Sequence, residues 1–563
     1  MGTVIQDEQQ RNPESQPRWD RLERADLFEP YRELRTHGLS ERQAATEIKV
    51  PRTTRQAWRL WHDTLESCPH GAAFFQSGPG RAFVHRLVMG VHLVCVEVGA
   101  CGMRLVCLLL NLTGLDRFVA ASYGAQQQVN RRVEAVLVAY RQDETARLAQ
   151  DMPRTDITGT QDETCTGGLC LVTMDPESTC ILLAQLAQAR EHVMWHARMA
   201  PALEPRNGRV MQSTSDEAPG LLAYGAPSLE AHHSPDLFHG QPELSQAVSA
   251  PMATTERAAT QAATEAREQL DQVHAPLQSG GDEPEKRGLG RPPKQPVSLE
   301  QAEQGLEVAS REHERLAQQR AQVAHRIRAI GHDDHWVDLE RGVRRNGQLI
   351  AADIQGHLEP VRAIAQHAGL SQRCVERIAK AERVVPNMQA TIAFVSGYVG
   401  QQVDQLDLTP AAAFAMHAKR IPSLSLDRVA QTRTVSAGEP LRERAERLRT
   451  PLFEPGGAVS ALSPEAPDQL HNEAKRLATV FQRSSANVEG RNGSLSLRNH
   501  QLRGLDLPRK RECFTAMHNF FLTRPDGTTA AERFFGQQPR SMFAALLESV
   551  ELAPAPLSPP RRA

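Results

Sequence analysis

Between residues 155 and 240 the apolar periodicity of this 563-residue chain changes from helical to extended, and that change restricts the fold more than any other feature. Runs 156–161 (DITGTQ), 168–174 (GLCLVTM), 179–184 (TCILLA) and 209–215 (RVMQSTS) are short and rich in Thr, Val, Ile and Leu, as strands are. A helical pattern near 188–203 separates the third run from the fourth, giving the order βββαβ. A further short strand is expected near 234–238, after an intervening helical segment. Everything else reads as helix, with Ala, Arg, Gln and Glu abundant and aromatic residues at 5%. The expected fold is an α/β core, βββαβ plus helices, with a large all-helical insertion and a helical N-terminal region, mostly α overall.

A chain of this length exceeds one hydrophobic core and should form several domains. Residues 1–20 are polar and contain proline, which suggests a disordered tail without a signal sequence. Residues 21–66 read as a helix-turn-helix. Gly38 punctuates the pattern, Ser40 with Gln43 makes a capping box, and Thr53 with Gln56 repeats it. The last helix of that unit would present Arg52, Arg55, Gln56 and Arg59 to DNA; an ordinary charged helical hairpin is the plainer alternative. Residues 67–150 are expected to be a helical packing domain. Its apolar stretch 82–115 is broken by Arg86, His92, Glu97 and Arg104 into pieces too short to span a membrane.

After the first part of the core (151–242) comes a heptad seam. Leu299, Ala302, Leu306, Ala309, His313, Leu316, Arg320, Val323, Ile327 and Ile330 alternate 3- and 4-residue steps. Met252, Ala259, Ala266 and Val273 keep the seven-residue spacing in the preceding arm. Residues 243–330 therefore predict an antiparallel helical hairpin, with a breaker-rich basic tip over 277–296. Within the tip, Gly290-Arg291-Pro292 resembles the centre of an AT-hook, although a flexible basic linker describes it equally. Residues 331–480 predict a helical insertion of short helices with Pro and Gly breaks. Residues 481–546 predict the C-terminal part of the core, and 547–563 a disordered tail. His332, Asp333, Asp334 and His335 read as a solvated helix terminus, and the pair His232-His233 reads likewise.

Net charge is −2, so any nucleic acid must be met by local patches rather than by a global basic field. The nine cysteines include no C-x-x-C pair, which argues against a zinc or disulfide framework. Two carboxylates stand out. Asp162 lies at the end of the first strand and Asp216 at the end of the fourth. In a βββαβ sheet those strands are neighbours, so two hard oxygen ligands would converge, as Mg²⁺ or Mn²⁺ require. A strand-end Asp is also a common cap or turn former. Glu489 sits in an unusually polar stretch with Asn487, Arg491, Asn492, Arg498 and His500. On spacing alone it reads equally as a Glu in the first turn of a solvated helix.

In order along the chain, TQDET, SDEAPGLL, HHSPDLFH, SSANVEGRNG and HNFFLTRPDGTTAAERFFG resemble a family of bacterial insertion-sequence transposases, related broadly to the mutator-like class. The similarity runs from the helix-turn-helix to residue 546, and TRPDGTTAAERFFG is its most specific block. The resemblance implies an RNase H-like core and a DDE triad of Asp162, Asp216 and Glu489 that would hold two Mg²⁺ or Mn²⁺ ions. Asp236-Leu237-Phe238-His239 fits the family's Cys/Asp-x-x-His motif, so Asp236 and His239, with Asn492, would support the site. Arg491, Arg498 and His500 become candidates for the flanking phosphates, with surface charge as their plainer role. The implied partner is double-stranded DNA at element ends and target, bound by a homodimer or higher oligomer in the cytoplasm, at the nucleoid, with no membrane. Two features sit badly with an active enzyme: Gly225-Ala226-Pro227 should interrupt the helix after Asp216, and Gly240 and Pro242 should trouble the next one. An inactive DNA-binding remnant or repressor, or a helical scaffold, are the rival readings.

Overall fold

The computed structural model describes residues 21–51, 73–75, 77–165, 167–216, 218–278, 297–458, 466–501 and 507–552. Helices α1 (Arg21–Thr36) and α2 (Glu41–Glu47) open it. The capping box forms as the sequence predicts: Gln43 N–H donates to Ser40 Oγ at 3.3 Å, and Ser40 N–H to Gln43 Oε1 at 3.0 Å. Phe28, Tyr31, Ala44 and Val50 make a small core there. Arg52, Arg55, Gln56 and Arg59 lie outside the described residues, as does Arg291.

The apolar stretch folds as α3 (Gly78–Gly90), a π-helical segment (Val91–Val98) and α4 (Met103–Leu112), followed by α5 (Tyr123–Gln150). Two of its charge-bearing residues are buried rather than exposed. The His92 ring nitrogens meet Asn130 Oδ1 at 3.0 Å and Gln126 Oε1 at 2.8 Å. Asn130 in turn donates to Glu134 at 2.8 Å and Glu97 at 3.3 Å. Buried polar groups are tolerated when networked in this way. Among the described residues no helix is long and apolar enough to cross a membrane.

The five expected strands form one mixed sheet. They are β1 (Thr155–Cys165), β2 (Leu169–Met174), β3 (Ile181–Leu186), β4 (Gly208–Ser215) and β5 (His232–Pro235), in the order β3-β2-β1-β4-β5. Tight turns keep β1, β2 and β3 antiparallel. Asp175 holds the second turn by accepting the Ser178 N–H at 2.8 Å. Crossover helices α6 (His192–Leu203) and α7 (Pro219–Leu229) then bring β4 and β5 back parallel. Helix α7 starts so close to the preceding chain that a Cβ on Gly220 would lie 2.0 Å from the Arg190 carbonyl oxygen, so only glycine fits there. The expected interruption after Asp216 does not occur, because α7 runs unbroken across Gly225, Ala226 and Pro227.

Helix α8 (Leu237–Leu244) likewise runs through Gly240 and Pro242 into a π-helical segment, Ser245–Ser249. The predicted hairpin follows as α9 (Ala250–Gln278) and α10 (Leu299–Asp333). Of the seam, Ala302, Leu316, Val323, Ile327 and Ile330 are buried. Arg320, which spoils the seam in sequence, pairs with Glu256 of α9. Next come α11 (Gly347–His367), α12 (Gln372–Asp404), α13 (Pro410–Ala415), α14 (Ile421–Gln431), α15 (Val435–Phe453), α16 (Ala466–Thr479) and α17 (Ala486–Gln501). The expectation of short helices with proline breaks is corrected here. Helix α11 passes through Pro360 and α12 through Pro386. In α12 the burial of Ile378, Val385, Met388, Ile392, Val395, Val399 and Val403 outweighs one missing backbone bond of roughly 3 kcal/mol.

Helices α18 (Pro508–Phe520), α19 (Ala530–Phe535) and α20 (Met542–Ser549) close the chain. Residues Asp151–Ser494 form one compact unit, and residues 1–150 with 495–563 form another. The expectation that all of 481–546 belongs with the sheet is therefore corrected. The late basic cluster has internal partners instead. Arg509 Nε lies 2.7 Å from Glu134 Oε2, Lys510 pairs with the same carboxylate, and Arg498 lies 3.4 Å from Glu97.

Candidate active site

Strand register builds the site. Thr160 pairs with Thr214 across β1 and β4, and Thr214 with Ser234 across β4 and β5. Two residues further along, the register carries Asp162, Asp216 and Asp236 onto one face; Asp216 and Asp236 lie just past β4 and β5, whereas Asp162 lies within β1, which runs on to Cys165, so its expected place at the strand end is corrected. Adjacent strands are about 4.8 Å apart, and the carboxyl edge of parallel strands is where open α/β sheets place their ligands. Asp162 Oδ1 accepts the Glu163 N–H at 2.8 Å, and Asp216 Oδ1 accepts the Ala218 N–H at 3.2 Å. Asp216 is exposed and Asp162 half-buried.

The first half of α17 crosses this face. Val488 packs into the cluster of Cys170, Val172, Met174, Ile181 and Ala184, which fixes the helix against β2 and β3. Asn487 Nδ2 donates to Thr160 Oγ1 at 3.0 Å, and Asn492 Nδ2 donates to Asp162 Oδ2 at 2.7 Å. Asp236 is buried and secures the helix start, accepting Ser485 N–H at 2.8 Å and Ser485 Oγ–H at 2.6 Å on one oxygen. Glu489, half-buried, lies one turn before Asn492 and so shares its side of the helix. Asp162, Asp216, Asp236, Asn492 and Glu489 thus belong to one side of the sheet. His239 lies in α8.

The opposite face carries Glu163, which accepts from Trp195 Nε1 at 3.3 Å and faces Arg190 at 3.4 Å. Burial raises its carboxyl above the ordinary range, and repulsion from Asp216 and Asp162 adds to that, against the pull of Trp195 and Arg190. The repulsion places Glu163 within electrostatic reach of the aspartate row.

The histidine pair is not solvated. His232 stacks on Phe394 with centroids 4.5 Å apart and meets Thr391 Oγ1 at 3.0 Å. Among the described residues neither ring nitrogen of His233 has a hydrogen-bond partner. Burial, with help from His232 and against Asp216, pushes the His233 imidazole down to about 4. An unfolded His titrates near 6.5, so between those values the unfolded chain binds the extra proton. Stability should therefore be level above pH 6.5 with respect to this group and fall as the pH drops towards 4. Urea denaturation at pH 7.5 and pH 5 should show a lower midpoint at pH 5, and His233→Phe should remove part of that fall.

The remaining sequence candidates separate clearly. His500 is exposed on α17. Arg491 is 4% exposed and donates to Asn492 Oδ1 at 3.1 Å, so it braces the asparagine that holds Asp162. Arg498 is buried against the π-helical segment, donating to the Glu97 carbonyl and facing the Glu97 carboxylate, so a flanking-phosphate role is corrected to an internal one. Its guanidinium is spent on internal acceptors.

Two basic residues that the sequence reading passed over reach the site. A cavity of about 130 Å³ is lined by Asp216, Asp236, Glu243, Asp334, Arg377 and Lys380, among others. Arg373, Arg377 and Lys380 recur at helical spacing on α12, a signal hidden by the expectation of short broken helices over 331–480.

The donors present are hard carboxylate oxygens, which suit a divalent cation in kind. Among the described residues no three His, Cys, Asp or Glu side chains gather into a ready-made metal cluster. A family model described as a family of unknown function, DUF6399, matches residues 416–562. Neither the curated proteins nor the solved structures contain a match to the chain.

Proposed function

We propose that this chain is a DDE-type DNA transposase, cleaving and joining strands at the ends of a mobile element. The observation that carries the reading is the aspartate row: Asp162 two residues beyond the last β1–β4 pair and Asp216 just past the end of β4, with a polar helix bearing Glu489 laid across the same face. The strand order β3-β2-β1-β4-β5, antiparallel for the first three, is also the order of an RNase H-like core. The proposed partners are double-stranded DNA at element ends and target, held by two or more copies of the chain, at the nucleoid. The fragment match to a family of unknown function leaves this reading to stand on the site itself.

Mg²⁺ or Mn²⁺, two per site, would be held by Asp162 and Asp216, joined by Glu489, and would supply Lewis-acid stabilisation for in-line phosphoryl transfer. The chain's own residues do the positioning. Asn492 fixes one Asp162 oxygen and leaves the carboxylate oriented along the row. Asp236 anchors the start of α17, so the helix that carries Asn492 and Glu489 cannot slide relative to β5. Arg377 and Lys380 stand at the cavity beside Asp216, where they can meet phosphate oxygens.

Purified full-length protein should nick supercoiled plasmid DNA with Mn²⁺, and lose that activity with EDTA. Salt-dependent DNA binding without nicking would favour the inactive DNA-binding reading, for which the incomplete gathering of carboxylates speaks. No DNA affinity would remove both. Arg377→Gln with Lys380→Gln should lower the salt slope of DNA binding by about 2, close to one for each cation that no longer meets a phosphate. The same double variant should leave the urea midpoint unchanged, because Lys380 makes only an exposed pair with Glu243 at 3.3 Å.

A further inference from the structure

A second cavity, of about 430 Å³, opens beyond the turn that follows α10, between that turn, α14 and the linker from α16 to α17. Its size lies in the range of small-molecule sites. Trp336 and Phe481 provide apolar wall, while Arg428, Arg483 and His335 supply the charge-bearing groups; no Asp or Glu lines it. Arg483 is neutralised by Asp334, 2.6 Å away. Arg428 makes no ion pair among the described residues; Nη1 donates to the Ala478 carbonyl at 2.7 Å, and the Glu177 carboxylate offsets its charge in part through space. His335 is 3% exposed, and among the described residues its Nε2 has no hydrogen-bond partner, lying 3.9 Å from Asp334 Oδ1. Burial, followed by the nearby Arg483 and Arg433, holds the imidazole well below its usual value, so it is neutral and one ring nitrogen can donate.

A cavity lined by two guanidinium groups and no carboxylate, with a buried imidazole nitrogen left without a partner among the described residues, offers donors to an anion. We propose that it binds a small phosphate monoester, with the phosphoryl oxygens on Arg428 and His335 Nε2 and the rest of the molecule against Trp336 and Phe481. The enclosed volume suits a mononucleotide and excludes a duplex. A fork of planar donors is the matching partner for a phosphate.

Isothermal titration of the full-length protein with AMP and with inorganic phosphate tests this. AMP should bind more tightly than phosphate, because only AMP uses the apolar wall. Arg428→Met should weaken both by at least tenfold. Thr432→Trp, at an exposed position on the cavity rim, should weaken AMP more than phosphate and keeps the test open should Arg428→Met fail to fold. Equal, weak binding of phosphate to wild type and both variants would overturn the proposal. So would a 5′-phosphorylated oligonucleotide that outcompetes AMP, since that would make the cavity a DNA-end site.

Discussion

Asp162→Asn is expected to abolish Mn²⁺-dependent nicking while leaving DNA binding near wild type and lowering the urea midpoint only modestly. The amide keeps the shape of the carboxylate and Oδ1 can still accept from Glu163 N–H, but its NH2 then meets the Asn492 Nδ2 donor. What is lost is the charge that a hard divalent ion requires from its ligand. Asp216→Asn should behave alike, because the register makes the two residues neighbours and the side chain is exposed. Asn492→Ala should be intermediate. It removes the donor that fixes Asp162 but no ligand, and loss of such an orienting partner costs about 10–100-fold in metal affinity or activity. Raising the Mn²⁺ concentration should therefore restore Asn492→Ala in part and Asp162→Asn not at all. Glu489→Gln decides whether the triad is complete. Full loss makes Glu489 the third ligand, whereas retained nicking would reduce the site to the aspartate pair. If Asp162→Asn nicks DNA as wild type does, the catalytic reading is wrong.

The strands were legible because each carries a local signal. Runs such as GLCLVTM are rich in Leu, Val and Thr and lead into turn residues, and all five strands fall within a few residues of expectation. The aspartate pair followed from the same pattern, since strand order alone makes β1 and β4 neighbours. Asp236 was legible only as part of a motif. Its place in the row depends on the register of β5, which a four-residue strand does not announce. The misreadings share one cause. Proline was weighed by its local cost, but at Pro360 and Pro386 long helices with a deeply buried face absorb that cost through tertiary packing. Likewise Arg498, Glu97 and Glu134 look like surface charge in sequence because their partners lie hundreds of residues away or on another helix. The Ser40 cap and a small core of Phe28, Tyr31, Ala44 and Val50 are present, while the basic helix expected of a helix-turn-helix lies outside the described residues.

The tetrad His332 to His335 shows how much such hidden partnering matters to stability. Read in sequence as a solvated helix end, it places Asp334 and His335 at 3% exposure each. Burial raises the Asp334 carboxyl, and Arg483, 2.6 Å away, pulls it back. Asp333 is held the other way, below its ordinary range, through His357 at 2.9 Å and His332 at 3.1 Å, against its own burial. Removing one partner of a buried pair leaves the other uncompensated, at a cost of about 3–5 kcal/mol. Asp334→Ala should therefore be among the most destabilising single changes in the unit Asp151–Ser494, lowering the urea midpoint without changing the slope of the transition. Replacing both partners, Asp334→Leu with Arg483→Met, should recover most of that loss, since an apolar pair of similar volume carries no desolvation penalty. Arg483→Met alone should cost at least as much as Asp334→Ala, because it strands the more deeply buried partner: Asp334 is 4% exposed against 25% for Arg483. A double variant no more stable than Asp334→Ala would mean that the carboxylate matters through some partner other than Arg483, and His335 Nε2, 3.9 Å away, would be the next one to test.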